Sequence, residues 1–398
     1  MPRLPLGKLA FYWRMSAEPN IPPNPVPDCV EFELSFLTEY QLLIQTRNAQ
    51  TWEYLETIYR KDSNVGYLQE GHALAEGYGG DFLACIESAV AKHHPKARRI
   101  SEVGAGGGYL LRTLKEKGYD VAAVDPSPLA IEKGKEFGIE VVPAFYPSPG
   151  ALPKSDLILH YDVLEHVPDP AGFIRQHAGD LNPGGLIVFA VPDCSPYIAF
   201  GDVSMILHEH LNYFDEESLH HVVEAGGFDV LEIRKGGYGG VLYCIARVPG
   251  TRQSWSAQRG TAKFEAFVSR FQRLRRQVDQ FITEGLLPGN TLGCYVPLRA
   301  APYLSMRGLM GGFRFFDDNP GIHGRFFDGF EVAVESLDDL AAKPVSHLLI
   351  MSFAFGGAIR SRIAERIQGH AIKILALADL HPSGGVAMAP LSARAGGV

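Results

Sequence analysis

Cysteine is scarce and scattered in this chain. Five occur in 398 residues (Cys29, Cys85, Cys194, Cys244 and Cys294), and no two form a Cys-x-x-Cys pair. That excludes a disulfide framework and a structural zinc site, and it leads us to expect reduced thiols in a cytoplasmic protein with no bound zinc. An excess of positive charge is also missing. Lys and Arg number 37 against 45 Asp and Glu, a net charge of −8, so there is no basic footprint for a nucleic acid. No apolar run approaches bilayer length, and Met1 to Met15 lacks the continuous apolar stretch of a leader. Neither a membrane partner nor a targeting segment is expected. What remains is an ordinary globular composition, 46% hydrophobic and 21% charged. At this length two domains plus an arm are expected.

The richest segment runs from Arg98 to Tyr109: a short strand, the glycine turn Gly104-Ala105-Gly106-Gly107-Gly108, then a helix from Leu110 to Lys117. Glycine has no β-carbon, so such a turn lets backbone amides come close to a ligand. The dinucleotide version needs Gly-x-Gly-x-x-Gly, and Tyr109 stands at its last glycine. The pattern present is Glu-x-Gly-x-Gly-x-Gly over Glu102, Gly104, Gly106 and Gly108. A second apolar strand, Asp120 to Val124, ends in Asp125, placed to accept hydrogen bonds from ribose hydroxyls.

Strands and helices then alternate, as a mainly parallel sheet covered on both faces requires. A helix over Asp81 to His93 leads in. Helix Ala130 to Phe137, a strand at Val141-Val142, strand Asp156 to His160, helix Pro170 to Leu181, the turn Asn182 to Gly185 and strand Leu186 to Val191 follow. Helix Glu216 to Ala225 and strand Asp229 to Lys235 complete the series. Apolar residues three or four apart mark one long amphipathic helix over Lys263 to Glu284. A second alternating series occupies Thr291 to Ala378. The expected divisions are an arm and cap over 1–65, a cofactor-binding domain over 66–250, a linking helix over 251–285 and a smaller α/β domain over 286–398.

The Glu102–Gly108 turn resembles the first motif of class I S-adenosylmethionine-dependent methyltransferases. Asp156 to Val167, with His160 and Tyr161 after the strand, resembles the fourth motif, which lines the cofactor and the methyl-transfer channel. His208-Glu209-His210-Leu211-Asn212-Tyr213-Phe214 resembles the His-Glu-His-x-x-Tyr-Phe signature of nucleotide-sugar C-methyltransferases of deoxysugar biosynthesis. Ser63 to Tyr67 matches that group's tyrosine-bearing loop. Asp318 to Arg325 with Phe353-Ala354-Phe355 resembles its C-terminal domain. The resemblance covers most of the chain from about Ser63 onward. It implies a Rossmann-like core with a seven-stranded, mainly parallel sheet, a small N-terminal cap and a second Rossmann-like domain.

It also implies S-adenosylmethionine as cofactor, S-adenosylhomocysteine as product and a small-molecule methyl acceptor. Glu102, Gly104, Gly106, Gly108, Asp125, His160 and Tyr161 would bind the cofactor. His210 would be the general base, with Glu209 orienting it and His208 near the acceptor; Tyr67 would hydrogen-bond the acceptor. Three departures stand out. The family's cysteine-rich zinc module has no counterpart beyond Cys29. Leu207 replaces the tyrosine before His-Glu-His. Val296-Pro297 replaces the glycine turn of the second domain. Three functions stay open: methyl transfer to sugar carbon, methyl transfer to oxygen or nitrogen of a specialised metabolite, and cofactor binding without turnover. A nicotinamide-dependent oxidoreductase is disfavoured by Tyr109. The oligomeric state is open.

Overall fold

The structure is a computed structural model that describes residues 1–11, 15–19, 26–61, 73–237, 240–248, 256–353, 356–367 and 370–380. The chain forms two compact units. The first comprises Met1–Arg3, Ser35–Ser195 and Glu209–Thr261; the second comprises Leu4–Leu34, Pro196–His208 and the chain from Ala262 onward. Residues expected in the 1–65 arm and cap are shared between the two units. Within the second unit the Met15–Ser16 strand pairs antiparallel with Phe326–Phe327, which ties the arm to distant sequence.

The first unit is built on seven strands: β1 (Arg99–Val103), β2 (Asp120–Val124), β3 (Glu140–Val142), β4 (Ser155–Tyr161), β5 (Leu181–Pro192), β6 (Asp229–Lys235) and β7 (Val241–Arg247). Their order is β6-β7-β5-β4-β1-β2-β3. Only β7 runs against its neighbours, paired antiparallel with both β5 and β6. The chain leaves β1 toward β2 and β3, then returns to place β4 on the other side. The carboxyl ends of β1 and β4 thus flank the point where strand order reverses, where open α/β sheets bind ligands.

Apolar side chains cover both faces, as buried parallel strands require. On one face Leu157 and Leu159 of β4 join Ile100, Phe82, Ile86, Leu110 and Leu114. On the other, Ile158 joins Ile187, Phe189, Phe173 and Ile174. The helices are set by local chemistry. Ser127 caps the helix Pro128–Phe137 by accepting the Ala130 amide, with proline at the first helical position. Asp215 and Ser218 form a capping box on Glu216–Ala225. By contrast the helix Tyr109–Glu116 has no side-chain cap, because Gly108 precedes it in a left-handed conformation. Its first amides are left for other partners.

Two details differ from the pattern. The Asn182–Gly185 segment is not a separate turn; it lies inside β5, with Gly184 at φ 78 where β4 and β5 shift register. β7 has no counterpart in the series read above.

The second unit holds a parallel sheet of β8 (Leu292–Tyr295), β9 (Arg314–Phe316), β10 (Val334–Glu335), β11 (His347–Ile350) and β12 (Lys373–Ala376), in the order β10-β9-β8-β11-β12. Phe267, Phe271, Leu274, Val278 and Phe281 bury one stripe of the helix Ala262–Gly285. After β8, Val296 adopts φ 63 and Pro297 opens a helix over Pro297–Ser305. A β-branched residue in that region is a strained outlier, and the proline brings no N–H. Among the described residues no helix is long and apolar enough to cross a membrane.

Candidate functional site

Three glycines build the turn after β1, each for a different reason. All three have positive φ: Gly104 at 77°, Gly106 at 50° and Gly108 at 74°. A β-carbon at Gly104 would stand 2.7 Å from Val163, and one at Gly108 would press on the Phe137 ring at 3.2 Å. At Gly106 nothing lies within 4 Å. Gly104 and Gly108 therefore let the loop pack on protein, whereas Gly106 faces open space.

Asp125, just beyond β2, holds this turn. Its Oδ2 accepts the Gly106 amide at 2.9 Å and its Oδ1 accepts the Ser127 amide at 2.7 Å. Each carboxylate oxygen keeps a further lone pair. Glu102 on β1 is buried, and its Oε2 has no hydrogen-bond partner. Burial, and then the Asp125 charge, pushes its carboxyl well above the usual range.

The β4 end divides the two neighbours expected at the cofactor. Successive strand residues point to opposite faces. Tyr161 lies on the Phe82 side, ring centroids 5.2 Å apart. His160 points the other way into the core, stacked on Phe189 at 4.4 Å and close to His177 and Phe173. It is fully buried, and neither ring nitrogen has a hydrogen-bond partner. The expectation that His160 meets the cofactor is corrected: strand alternation makes it part of the core.

Beyond β4 the chain makes a short 3-10 turn, Leu164–His166, and the His-Glu-His segment is stitched to it. The Leu211 amide donates to the Glu165 carbonyl at 2.7 Å. Asn212 Nδ2 donates to the carbonyls of Leu164 (3.1 Å) and Val167 (2.8 Å). His166 Nδ1–H donates to the Glu209 carbonyl at 2.8 Å, so its Nε2 carries the lone pair in the neutral ring. The His210 ring stands edge-on to His166, centroids 4.9 Å apart.

Glu165 completes the cluster. It is 1% exposed, both carboxylate oxygens lack a hydrogen-bond partner, and Oε1 lies 3.6 Å from His166 Nε2. Burial, and then the Asp162 charge, raises its carboxyl well above the usual range. Asp162 itself sits at φ 53. It reaches solvent, but the protein around it and the Glu209 carboxylate push it up to about 7, and the nearby like charge supports that direction.

His208 is held by other partners. It lies in the second unit, stacked on Phe11 at 4.7 Å and edge-on to Phe32, with Nε2 donating to the Val30 carbonyl. Burial lowers it to about 4. Its ring is thus taken up by aromatic packing within the second unit, and a single residue, Glu209, separates it in the chain from His210. Tyr67, the Ser63–Tyr67 loop, Ala354 and Phe355 lie outside the described residues. Sequence reasoning undervalued Glu165, His166 and Asn212; the signal was their place directly after the fourth motif and inside the His-Glu-His run.

Residues 81–233 match a family model described as a methyltransferase domain. The chain carries an S-adenosylmethionine-dependent methyltransferase domain. It is 28% identical over 206 residues to a ubiquinone biosynthesis O-methyltransferase of Methylobacterium sp. (strain 4-46), covering 45% of this chain and 79% of the relative. Four other enzymes of that description match over 40% to 46% of their own length. Similarity to the C-methyltransferase NovU of Streptomyces niveus is 22% over 283 residues, 65% of this chain and 67% of the relative. A solved N1-methyltransferase of Burkholderia thailandensis superposes with a TM-score of 0.40 at 17% identity, covering 54% of this chain and 98% of that one. The matched residues span β1 to β5 and most of β6, and the antiparallel β7 follows them.

Proposed function

We propose that the protein transfers a methyl group from S-adenosylmethionine to carbon of a small sugar or nucleotide-sugar acceptor, with His210 as the base. Bound at the glycine turn, the cofactor supplies an electrophilic methyl group. In this reading Gly106 offers the open approach and Gly104 and Gly108 shape the turn. Asp125 accepts from the ribose with its remaining lone pairs. The unpartnered Glu102 oxygen accepts from the donor's amino group, and Tyr161 walls the channel.

On the acceptor side His210 takes a proton from the atom to be methylated. Glu209 acts through its carbonyl by fixing the ring orientation of His166. The single observation that carries the reading is the stitching of Glu209–Asn212 onto the Leu164–Val167 turn, which brings His210 and His166 together beside Glu165 at the end of β4. Similarity to NovU extends past the methyltransferase domain and supports carbon as the receiving atom. A second reading, methylation of oxygen on the same scaffold, is favoured by the relative with 28% identity.

Two measurements test this. Calorimetry with S-adenosylhomocysteine must show binding to the purified chain. Methyl-labelled cofactor, followed by product NMR, then separates a carbon-bound from an oxygen-bound methyl. Failure to bind the homocysteine product at millimolar supply ends the proposal.

A further inference from the structure

We infer that the helix Glu216–Ala225 carries a binding site for a divalent transition-metal ion, formed by His220, His221 and Glu224. The helix belongs to the first unit, and the site uses none of the residues assigned to methyl transfer. It does not depend on that reading.

Helix geometry alone brings the three side chains together. At about 100° per residue, Glu224 projects about 40° from His220 and about 60° from His221, between the two and one turn further on. One ligand atom from each of the three lies within 4.8 Å of the other two. His220 Nδ1 and Glu224 Oε2 are 3.2 Å apart. Tetrahedral ligands at about 2.0–2.1 Å from zinc stand about 3.3 Å from one another, so this pair is already at coordination spacing. A small rotation of the His221 imidazole closes the third side.

The groups are also available. The His220 and Glu224 side chains are 46% and 40% exposed. The two imidazoles stand perpendicular, centroids 6.2 Å apart. Among the described residues, no hydrogen bond or ion pair besides the one joining His220 to Glu224 engages these three side chains. His221 Nδ1 is sealed from solvent with no hydrogen-bond partner, a costly state for a polar atom. An ion pair between His220 and Glu224 leaves that nitrogen as it is. A metal ion bound through it satisfies it.

The donor set selects the ion. Two imidazoles and one carboxylate suit zinc and its transition-metal neighbours, whereas magnesium and calcium take oxygen ligands. Three protein ligands leave a fourth position to water. The lack of paired cysteines speaks against a thiolate site, and this one uses no thiolate. Arg175 already donates to the Ala225 carbonyl at 3.0 Å, so side chains hold the ion and the helix end does not.

The experiment is isothermal titration of the full chain, free of any affinity tag, with zinc chloride and separately with magnesium chloride. Cobalt chloride, added in parallel, reports tetrahedral coordination by its visible absorption. One equivalent of zinc should bind without competition from magnesium. His220→Ala, His221→Ala and Glu224→Ala should each weaken zinc by about tenfold or more and abolish the cobalt band. S-adenosylhomocysteine affinity should be the same in all four proteins. His220 and Glu224 are exposed enough that their variants fold whatever His221→Ala does.

A wild-type chain that ignores zinc overturns the inference, as does zinc affinity unchanged in His220→Ala or Glu224→Ala. Zinc binding lost instead in His210→Ala also overturns it, because the ion would then sit beside Glu165 and His166. Unchanged affinity in a folded His221→Ala leaves only an ordinary ion pair and removes the three-ligand site.

Discussion

The amide of Gly106 donates to Asp125 Oδ2 at 2.9 Å, which joins the open point of the glycine turn to the acid at the end of the second strand. The residue expected to hold a ribose also shapes the loop over which that ribose would lie. Asp125→Ala therefore removes both supports. S-adenosylhomocysteine affinity should fall by about 1–3 kcal/mol, read by calorimetry. An unchanged binding constant would remove Asp125 from the site.

The turn glycines should separate by experiment. Gly104→Ala forces a left-handed alanine into a β-carbon contact of 2.7 Å with Val163. Strain and overlap together should lower unfolding free energy by about 2–4 kcal/mol in denaturant titrations. Gly106→Ala carries only the backbone strain, about 1–2 kcal/mol, but its methyl occupies the open side. It should cost donor affinity out of proportion to stability. Equal losses in both variants would show that the turn is packing alone.

The two histidines flanking Glu209 should behave differently. His210→Ala is expected to lower kcat by about 10²–10⁴-fold with donor affinity retained, the usual contribution of a positioned base. His208→Phe keeps an aromatic ring against Phe11 and Phe32 and should leave turnover near wild type. Turnover lost through His208 and preserved without His210 would reverse the assignment.

Buried histidines should make the fold acid-sensitive. Burial lowers His177 to about 4, and burial together with His177 holds His160 well below the ordinary value. The unfolded chain takes up protons near 6.5, whereas the folded chain does not until about 4 at His177. In that window the unfolded state binds more protons, so stability falls as pH drops, by up to about 1.4 kcal/mol per pH unit per histidine. Glu102 and Glu165, raised by burial, work with the opposite sign and lose stability as pH rises. They are common to both proteins when His160→Phe is compared with wild type. That variant should show a shallower loss between pH 6.5 and 4, by about 1 kcal/mol per unit. Parallel curves would mean His160 is already satisfied when neutral or charged.

Much of the fold could be read from local pattern because its determinants are local. The β1 turn needs glycine at positions of positive φ, and Gly104, Gly106 and Gly108 stand there. The helices carry their own caps at Ser127 and Asp215. The amphipathic stripe expected over Lys263 to Glu284 lies on the buried side of Ala262–Gly285. β7 escaped because an antiparallel strand that closes a parallel sheet has no helix before it to mark its rhythm. The Asn182–Gly185 segment reads as a turn, and it stands as an irregularity inside β5, between Leu181 and Leu186, the residues that pair with β4.

The site divides along the same line. Residue types and spacing along the chain were enough for the glycine turn, the acid after the second strand and the methyltransferase sheet, since each depends on neighbours a few residues away. Which side of β4 each residue faces, and which histidine of His208 and His210 meets His166, came only from long-range packing. Hydrogen bonds from residues 209–212 to residues 164–167, and the aromatic pocket around His208, join segments far apart in sequence, so no short window of the chain contains them.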